Sequence, residues 1–311
     1  MSDVAAAAWT VPRRVLEQHL MAAFIDACML DVIALKPGNV GIHGTGHGME
    51  AADFIRSAVA SAPAIAAVSQ SVGERIYNAV AATRAAVGIN TNLGIVLLAA
   101  PLAQAAHQAG MTSSAATLRD ELARVLATLS VADAQLAFDA IRLANPGGLG
   151  DSQRHDVRKP ARATLLEAMR EAADRDSIAR QYATAYADVA GIGLLRLDAA
   201  RVRGCDRRWA ATEVYLGFLA SLPDSHVARK FGVDQAQSLC ESAGPYADAA
   251  VEPSTRVALL RDWDVALKTR GLNPGTTADL TVATLFFDGL LEELEQRSRA
   301  IFMAARTEVS W

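Results

Sequence analysis

Leu93-Gly94-Ile95-Val96-Leu97-Leu98-Ala99-Ala100-Pro101-Leu102, running on to Ala109, is the stretch that decides the fold. It shows no polar–apolar alternation, so it does not read as a half-buried strand. It is apolar on every side, and a helix apolar all round belongs at the centre of a packed bundle. Outward from it, helical periodicity covers most of the chain. Val11 to Leu35 reads as a helix, with Pro12 in the first turn and apolar residues at Leu16, Leu20, Ala23, Phe24, Ala27 and Leu30. Met49 to Val68 follows, with Phe54, Ile55, Ala58, Val59 and Ala62 inward, and then Gly73 to Val87, closed by Gly88. Asn90 or Thr91 is placed to cap the central helix.

Beyond it, helices are expected at 113–128, 130–143, 160–170, 178–200, 213–222, 225–231, 234–242 and 254–269, with a last long one from Asn273 to about Ala305. No useful stretch alternates as a strand does, and no composition shift marks a linker. The expectation is all-α: one single large multi-helix domain over residues 1–311, with roughly twelve helices.

Hydrophobic residues make up 51% of the 311 and aromatics only 5%, so the core is expected to be closely packed helices with small side chains between them. The net charge of −4 argues against a nucleic-acid partner, which asks for a basic excess. Cys28, Cys205 and Cys240 are far apart and odd in number, which reads as free thiols in a reducing compartment. No apolar run is long enough to span a membrane. A cytoplasmic protein with a small-molecule partner is expected; Ala-rich helix faces make a homodimer plausible.

The polar residues are concentrated at the breaks. Lys36-Pro37-Gly38-Asn39-Val40 leads into a loop with glycines at 38, 41, 44, 46 and 48 and with His43 and His47. Gly88-Ile89-Asn90-Thr91-Asn92-Leu93-Gly94 precedes the central helix, whose dipole presents positive charge there. The run from Gly150 to Lys159 mixes Arg154, His155, Asp156, Arg158 and Lys159, and Asn273-Pro274-Gly275-Thr276-Thr277-Ala278-Asp279-Leu280 opens the last helix. Turning a corner needs Gly and Pro but not these polar groups, so one polar pocket is expected where helix ends meet.

Each cluster has a plain alternative. His43 and His47 sit among glycines, so the i,i+4 helical argument for a shared metal fails, and they read as phosphate donors, proton carriers or an exposed loop. Glu50 and Asp53 open a helix and suit its dipole as well as they suit a divalent cation; Asp279, in the opening turn of the last helix, has the same ambiguity. Lys36 follows a helix C-terminus, where a cation is favoured anyway, yet it leads straight into the His-bearing loop. The 150–159 run is a solvated loop or an anion clamp with a carboxylate base. No Walker motif, dinucleotide fingerprint or nucleophile elbow is present.

These segments resemble the triphosphoribosyl-dephospho-CoA synthase family. Its K-P-G-x-V loop, followed by a helix that begins near an acidic residue and continues with Phe, is matched by Lys36-Pro37-Gly38-Asn39-Val40 and Met49-Glu50-Ala51-Ala52-Asp53-Phe54. Its G-x-N-T-x-x-G helix start is matched at Gly88 to Gly94, and its S/N-P-G-x-x-A-D-L segment at Asn273 to Leu280. Lyase-linked members commonly show G-A-H-x-D-M and N-T-H-K-G. Here Gly46-His47-Gly48-Met49 and Asn90-Thr91-Asn92-Leu93-Gly94 stand instead, so one Asp, one His and one Lys of that pattern are missing. In this the chain is similar to a divergent branch of archaeal and C1-metabolising bacterial members.

The resemblance implies an all-α fold and a triphosphoribosyl transfer. ATP and 3'-dephospho-CoA would give 2'-(5''-triphosphoribosyl)-3'-dephospho-CoA and adenine, with Mg2+ as cofactor. It further implies that Lys36, Gly38, Asn39, His43, Asn90, Thr91, Asn92, Arg158, Lys159 and Asn273 bind substrate or phosphate. His47, Glu50, His155 and Asp156 are the candidates for catalysis; Glu50, Asp53 and Asp279 would hold the metal or steady developing positive charge. Two alternatives remain open. One is a transferase of one-carbon cofactor (tetrahydromethanopterin or methylofuran) biosynthesis acting on a different phosphorylated substrate. The other is a non-catalytic nucleotide-binding protein.

Overall fold

The computed structural model describes residues 13–46, 48–109, 114–146, 154–248 and 253–308. Among them are fourteen α-helices and no sheet: α1 (Arg13–Ile33), α2 (Ala51–Ala66), α3 (Val72–Val87), α4 (Leu93–Ala109), α5 (Ala115–Ala127), α6 (Val131–Ala144), α7 (Leu165–Ala172), α8 (Ser177–Ala183), α9 (Leu195–Val202), α10 (Arg207–Ser221), α11 (Ser225–Phe231), α12 (Val233–Ala243), α13 (Pro253–Thr269) and α14 (Gly275–Glu308). The all-α expectation is met. The helix expected over 178–200 is two. It stops at Ala183, Ala185 and Tyr186 take positive φ (48° and 59°), and a π-helical turn at Val189–Leu194 leads into α9.

The helix ends follow the local chemistry. Ser71 with Glu74, Ser130 with Asp133 and Thr164 with Glu167 form capping boxes at the starts of α3, α6 and α7. Asp176, Asp206 and Asp224 cap α8, α10 and α11 through their side chains. Gly88 (φ 74°) and Asn145 (φ 46°) end α3 and α6 in the left-handed conformation.

α4 is the central helix, packed against α1, α2, α3, α5, α6, α8 and α14. Val96, Leu98, Ala100, Leu102, Ala103 and Ala105 are fully buried, and each buried Leu or Val contributes about 1.5–3 kcal/mol. Pro101 lies inside this helix. It has no N–H for the carbonyl four residues back, and its ring displaces that turn. The freed Leu97 carbonyl is satisfied from α8, where the Tyr182 hydroxyl donates to it at 2.6 Å, and the Tyr186 hydroxyl in the turn after α8 donates to the neighbouring Leu98 O at 2.7 Å. Both tyrosines are buried, and burial pushes both phenols up.

A second, smaller apolar cluster joins α10 to α11, α12 and α13 through Tyr215, Leu216, Leu219, Val227, Leu239, Leu260 and Leu267. α10 serves both clusters, since Ala211, Val214 and Phe218 belong to the larger one. Val59, expected inward on α2, is 54% exposed. The face that α2 buries runs through Ser57, Ala58, Ser61, Ala62 and Ile65, two of which are serines with work described below.

Candidate functional site

A cleft of about 1130 Å³ opens where helix ends converge. The ends of α3, α6 and α7 and the first residues of α4, α8, α11 and α14 line it, together with residues 154–158. Helix N-termini present unpaired N–H groups and partial positive charge, so α4 favours an anion there, whereas Asp224 already takes up the Thr277 N–H at the start of α14.

The start of α4 is fixed by its own sequence. Leu93 N donates to Asn90 Oδ1 at 3.2 Å, so Asn90 takes up the first N–H of the helix, while Asn92 itself holds the N-cap position with its carbonyl accepting from Val96 N at 2.9 Å. Thr91 Oγ1 shares a hydrogen bond with Ser57 Oγ at 2.5 Å, and Asn92 Nδ2 donates to Ser61 Oγ at 3.2 Å. The turn is thereby tied to α2. Asn90 and Thr91 line the cleft, whereas Asn92 is buried behind it.

The K-P-G-N segment builds the floor with the N-P-G segment 234 residues further on. Lys36 is buried, and its ammonium donates to Asp31 Oδ2 at 2.5 Å and to Asn39 Oδ1 at 2.7 Å. Asn39 Nδ2 in turn donates to Asn273 Oδ1 at 2.8 Å. Gly38 has φ 82°, its N–H donates to Asp264 Oδ1 at 2.8 Å, and a β-carbon on it would meet Leu272 O at 2.9 Å. Only glycine meets both demands. Asp31, Asn39 and Asn273 line the cleft, with Lys36 beneath them. Burial pushes the Asp31 carboxyl up and the Lys36 ammonium down, each opposed by the other's charge.

Asp279 is the fifth residue of α14 and so stands in its second turn rather than its opening one. Its carboxylate lies against Gly94 of α4, accepts no hydrogen bond from any described residue, and is held well above the usual carboxylate range by burial and by Asp224 and Asp31. The lining carries both signs of charge, with Glu171, Asp174 and Asp176 among its acids. Arg84, Arg154, Arg158, Arg175, Arg180 and Arg229 all line the cleft, with His155 and His226. Arg229 pairs with Asp176 at 2.6 Å and Arg180 with Asp188 at 2.8 Å. Asp156 is held by Arg158 through its guanidinium at 2.6 Å and its backbone N–H at 3.0 Å, which brings that carboxyl down to about 2.

Of the residues expected from sequence, Asn39, Asn90, Thr91, His155, Asp156, Arg158, Asn273 and Asp279 share this one cleft. His43, Glu50, Asp53 and Lys159 are not among its lining residues. His43 Nε2 lies 3.1 Å from Ile33 O, in a small hairpin bridged at Gly41–Gly44 and Gly46–Met49. Asp53 Oδ2 accepts the N–H of Glu50 at 2.9 Å, and its other oxygen pairs with Arg56 at 2.6 Å, so these two acids organise the start of α2. His47 and residues 147–153 lie outside the described residues. Among the described residues no three His, Cys, Asp or Glu side chains gather as a metal-binding group, and no helix is long and apolar enough to cross a membrane.

The sequence reading missed Asp31, Arg84, Arg175, Arg180, Arg229 and His226. Arg84 and Arg229 sit in last helical turns, where a cation is ordinary, and Asp31 looked like one polar residue on an amphipathic helix.

The chain resembles known proteins. Over 101 residues the chain is 33% identical to a protein of Azotobacter vinelandii named "Probable 2-(5''-triphosphoribosyl)-3'-dephosphocoenzyme-A synthase". That match spans 32% of this chain and about a third (34%) of the relative's length. A crystal structure from Archaeoglobus fulgidus that carries the name "putative triphosphoribosyl-dephospho-coA synthase" superposes with a TM-score of 0.57 at 25% identity, covering 74% of this chain and 95% of that one. The sequence profile of the CitG family, ATP:dephospho-CoA triphosphoribosyl transferase, matches residues 17–298. The chain belongs to that family of transferases.

Proposed function

We propose that the protein transfers the triphosphoribosyl group of ATP to the 2'-hydroxyl of 3'-dephospho-CoA and releases adenine. The observation that carries this reading is one cleft at the meeting of helix ends whose lining brings six arginines together with Asp31 and Asp279, within a chain of this family. Arginines and the start of α4 suit a triphosphate. Cleavage of the C1''–N9 bond leaves an oxocarbenium-like centre. Asp279, whose carboxyl is held well above the usual range, is suited to donate a hydrogen bond to the substrate rather than to carry charge. His155 is suited to meet the leaving adenine, and Asp156 to orient Arg158. Lys36 supports the floor rather than the phosphates.

Magnesium enters this reading as MgATP, its shell supplied by phosphates and water, as that ion prefers. A cytoplasmic location fits the three free cysteines. A homodimer completes the proposal. The test is adenine release from MgATP by the purified protein, with and without 3'-dephospho-CoA, followed by chromatography. Adenine that forms only with the acceptor supports the reading, and none from folded protein rejects it.

One observation favours a second reading, a phosphorylated precursor of a one-carbon cofactor as substrate. Asn92 and Leu93 stand where lyase-linked members carry His and Lys, and Asn92 is turned to Ser61 while Leu93 lines the cleft. The start of α4 thus has two cations fewer for a triphosphate. Turnover of such a precursor, with no adenine from the first pair, would select it. Nucleotide binding with no turnover of either would select a non-catalytic role.

A further inference from the structure

The floor of the cleft is a chain of four polar side chains with one open end. The Lys36 ammonium is shared by Asp31 Oδ2 (2.5 Å) and Asn39 Oδ1 (2.7 Å), and the Asn39 amide reaches Asn273 Oδ1 (2.8 Å). Each of these contacts is satisfied from within. Asp31 Oδ1 is the exception: it is buried and has no hydrogen-bond partner. Asp31 is only 4% exposed, yet it lines the cleft beside Asn39 and Asn273.

A buried carboxylate oxygen with no donor is costly, and the arrangement is explained when a ligand's hydroxyl supplies the donor. The groups facing Asp31 do not supply it. Lys36 is committed to the other oxygen. The Tyr215 hydroxyl on α10 donates to Pro37 O at 2.7 Å. Among the described residues, Cys28 one turn back on α1 and Asp279 on α14 also feel the Asp31 charge, and neither makes a hydrogen bond to it.

We propose that Asp31 is the catalytic base that takes the proton of the acceptor ribose hydroxyl, with Asn273 beside it placed to hold the neighbouring hydroxyl. This rests on the transfer reaction proposed above. The hydroxyl proton passes to Asp31 Oδ1 as the O2'–C1'' bond forms. The C1''–N9 bond breaks, and its electron pair leaves with adenine, which takes a proton from water. Asp31 returns its proton to solvent, and no other reactant is consumed. Lys36 is the positioning residue: it fixes Oδ2 and leaves Oδ1 to the substrate. Burial, which raises the carboxyl, makes it a stronger base than a surface Asp.

The experiment compares wild type, Asp31→Asn, and Asp31→Asn combined with Lys36→Met, which removes the ammonium that the single change leaves unpaired. Circular dichroism reads folding, calorimetry reads 3'-dephospho-CoA binding, and chromatography reads adenine at saturating MgATP. The expected result is an active wild type whose log kcat rises with slope one at the acid end of the profile. A folded variant should bind the acceptor within about 3-fold, turn over at least about 100-fold more slowly, and lack the acid limb. A folded variant within about 5-fold of wild-type turnover would overturn the assignment. So would a wild-type profile that stays flat down to about pH 4, the ordinary range of an Asp carboxyl, whether or not the variants fold. A wild type that makes no adenine overturns the reaction itself and the assignment with it. An active wild type with an equally active Asp31→Asn overturns the assignment alone.

Discussion

A β-carbon at Gly94 would lie 2.1 Å from Oδ2 of Asp279, nearer than any real contact. The two residues belong to α4 and α14, so the hydrogen at Gly94 is what lets a carboxylate from one helix reach the first turn of the other. Gly94→Ala is expected to cost about 1–3 kcal/mol by overpacking, since Ile178 also crowds the position at 2.6 Å. Adenine release should fall more than the melting temperature suggests, because Asp279 must move. Unchanged turnover would show that the Asp279 position is irrelevant to the chemistry.

Lys36 and Asp31 are both buried, so removing one charge strands the other. Lys36→Met is expected to destabilise by about 3–5 kcal/mol, and adding Asp31→Asn should recover much of it. Urea unfolding of the two single variants and the double gives the coupling directly; additive effects would mean that the pair is not energetically linked.

Asp224 joins two helices. It accepts from Val227 N at 2.9 Å at the start of α11, and its other oxygen accepts from Thr277 N at 2.7 Å and Thr277 Oγ1 at 2.8 Å in α14. Asp224→Ala removes a cap and a charged acceptor from buried donors, an expected loss of about 2–4 kcal/mol. A shift in the urea midpoint without a change in slope would confirm it.

Asp156 is expected to stay ionised through the whole working range. Its carboxyl is brought down to about 2 by Arg158, below the ordinary value near ~3.9. For a lowered carboxyl, the stabilisation is complete above the unfolded value and is lost as pH falls through about 2. Carbon-detected NMR should put its midpoint near 2, and Asp156→Asn should leave the acid limb of the turnover profile where it was.

Arg84 lines the cleft and pairs with no described carboxylate, unlike Arg229 and Arg180. Arg84→Ala is expected to weaken MgATP binding about 10-fold or more, with little change in melting temperature. Calorimetric titration checks it; equal affinity would remove Arg84 from the phosphate wall.

The sequence carried the helical class because α4 is apolar on every side and because Gly and Pro punctuate the chain. It also carried the junction of helix ends, since Asn39, Asn90, His155, Asn273 and Asp279 all stand at such breaks. What it hid is set by long-range geometry. Whether Lys36 points at a phosphate or at Asp31 depends on how the chain turns after α1, and no local pattern encodes that turn. His43, Glu50 and Asp53 looked alike as candidates. The hairpin directs His43 to Ile33, and helix capping takes up both acids. Arg84 and Arg229 obeyed the dipole rule, which concealed a second use.

The bridge from Asn39 to Asn273 also sets an order of events in time. The two residues are 234 positions apart, and a ribosome adding ~5–20 residues per second needs roughly ten to fifty seconds to pass from one to the other. Through that interval the nascent chain carries Lys36 and Asp31 with half of their surroundings unmade. The floor of the cleft is therefore among the last parts of the protein to exist, and a chain still being translated short of Asn273 has no complete place to hold a substrate.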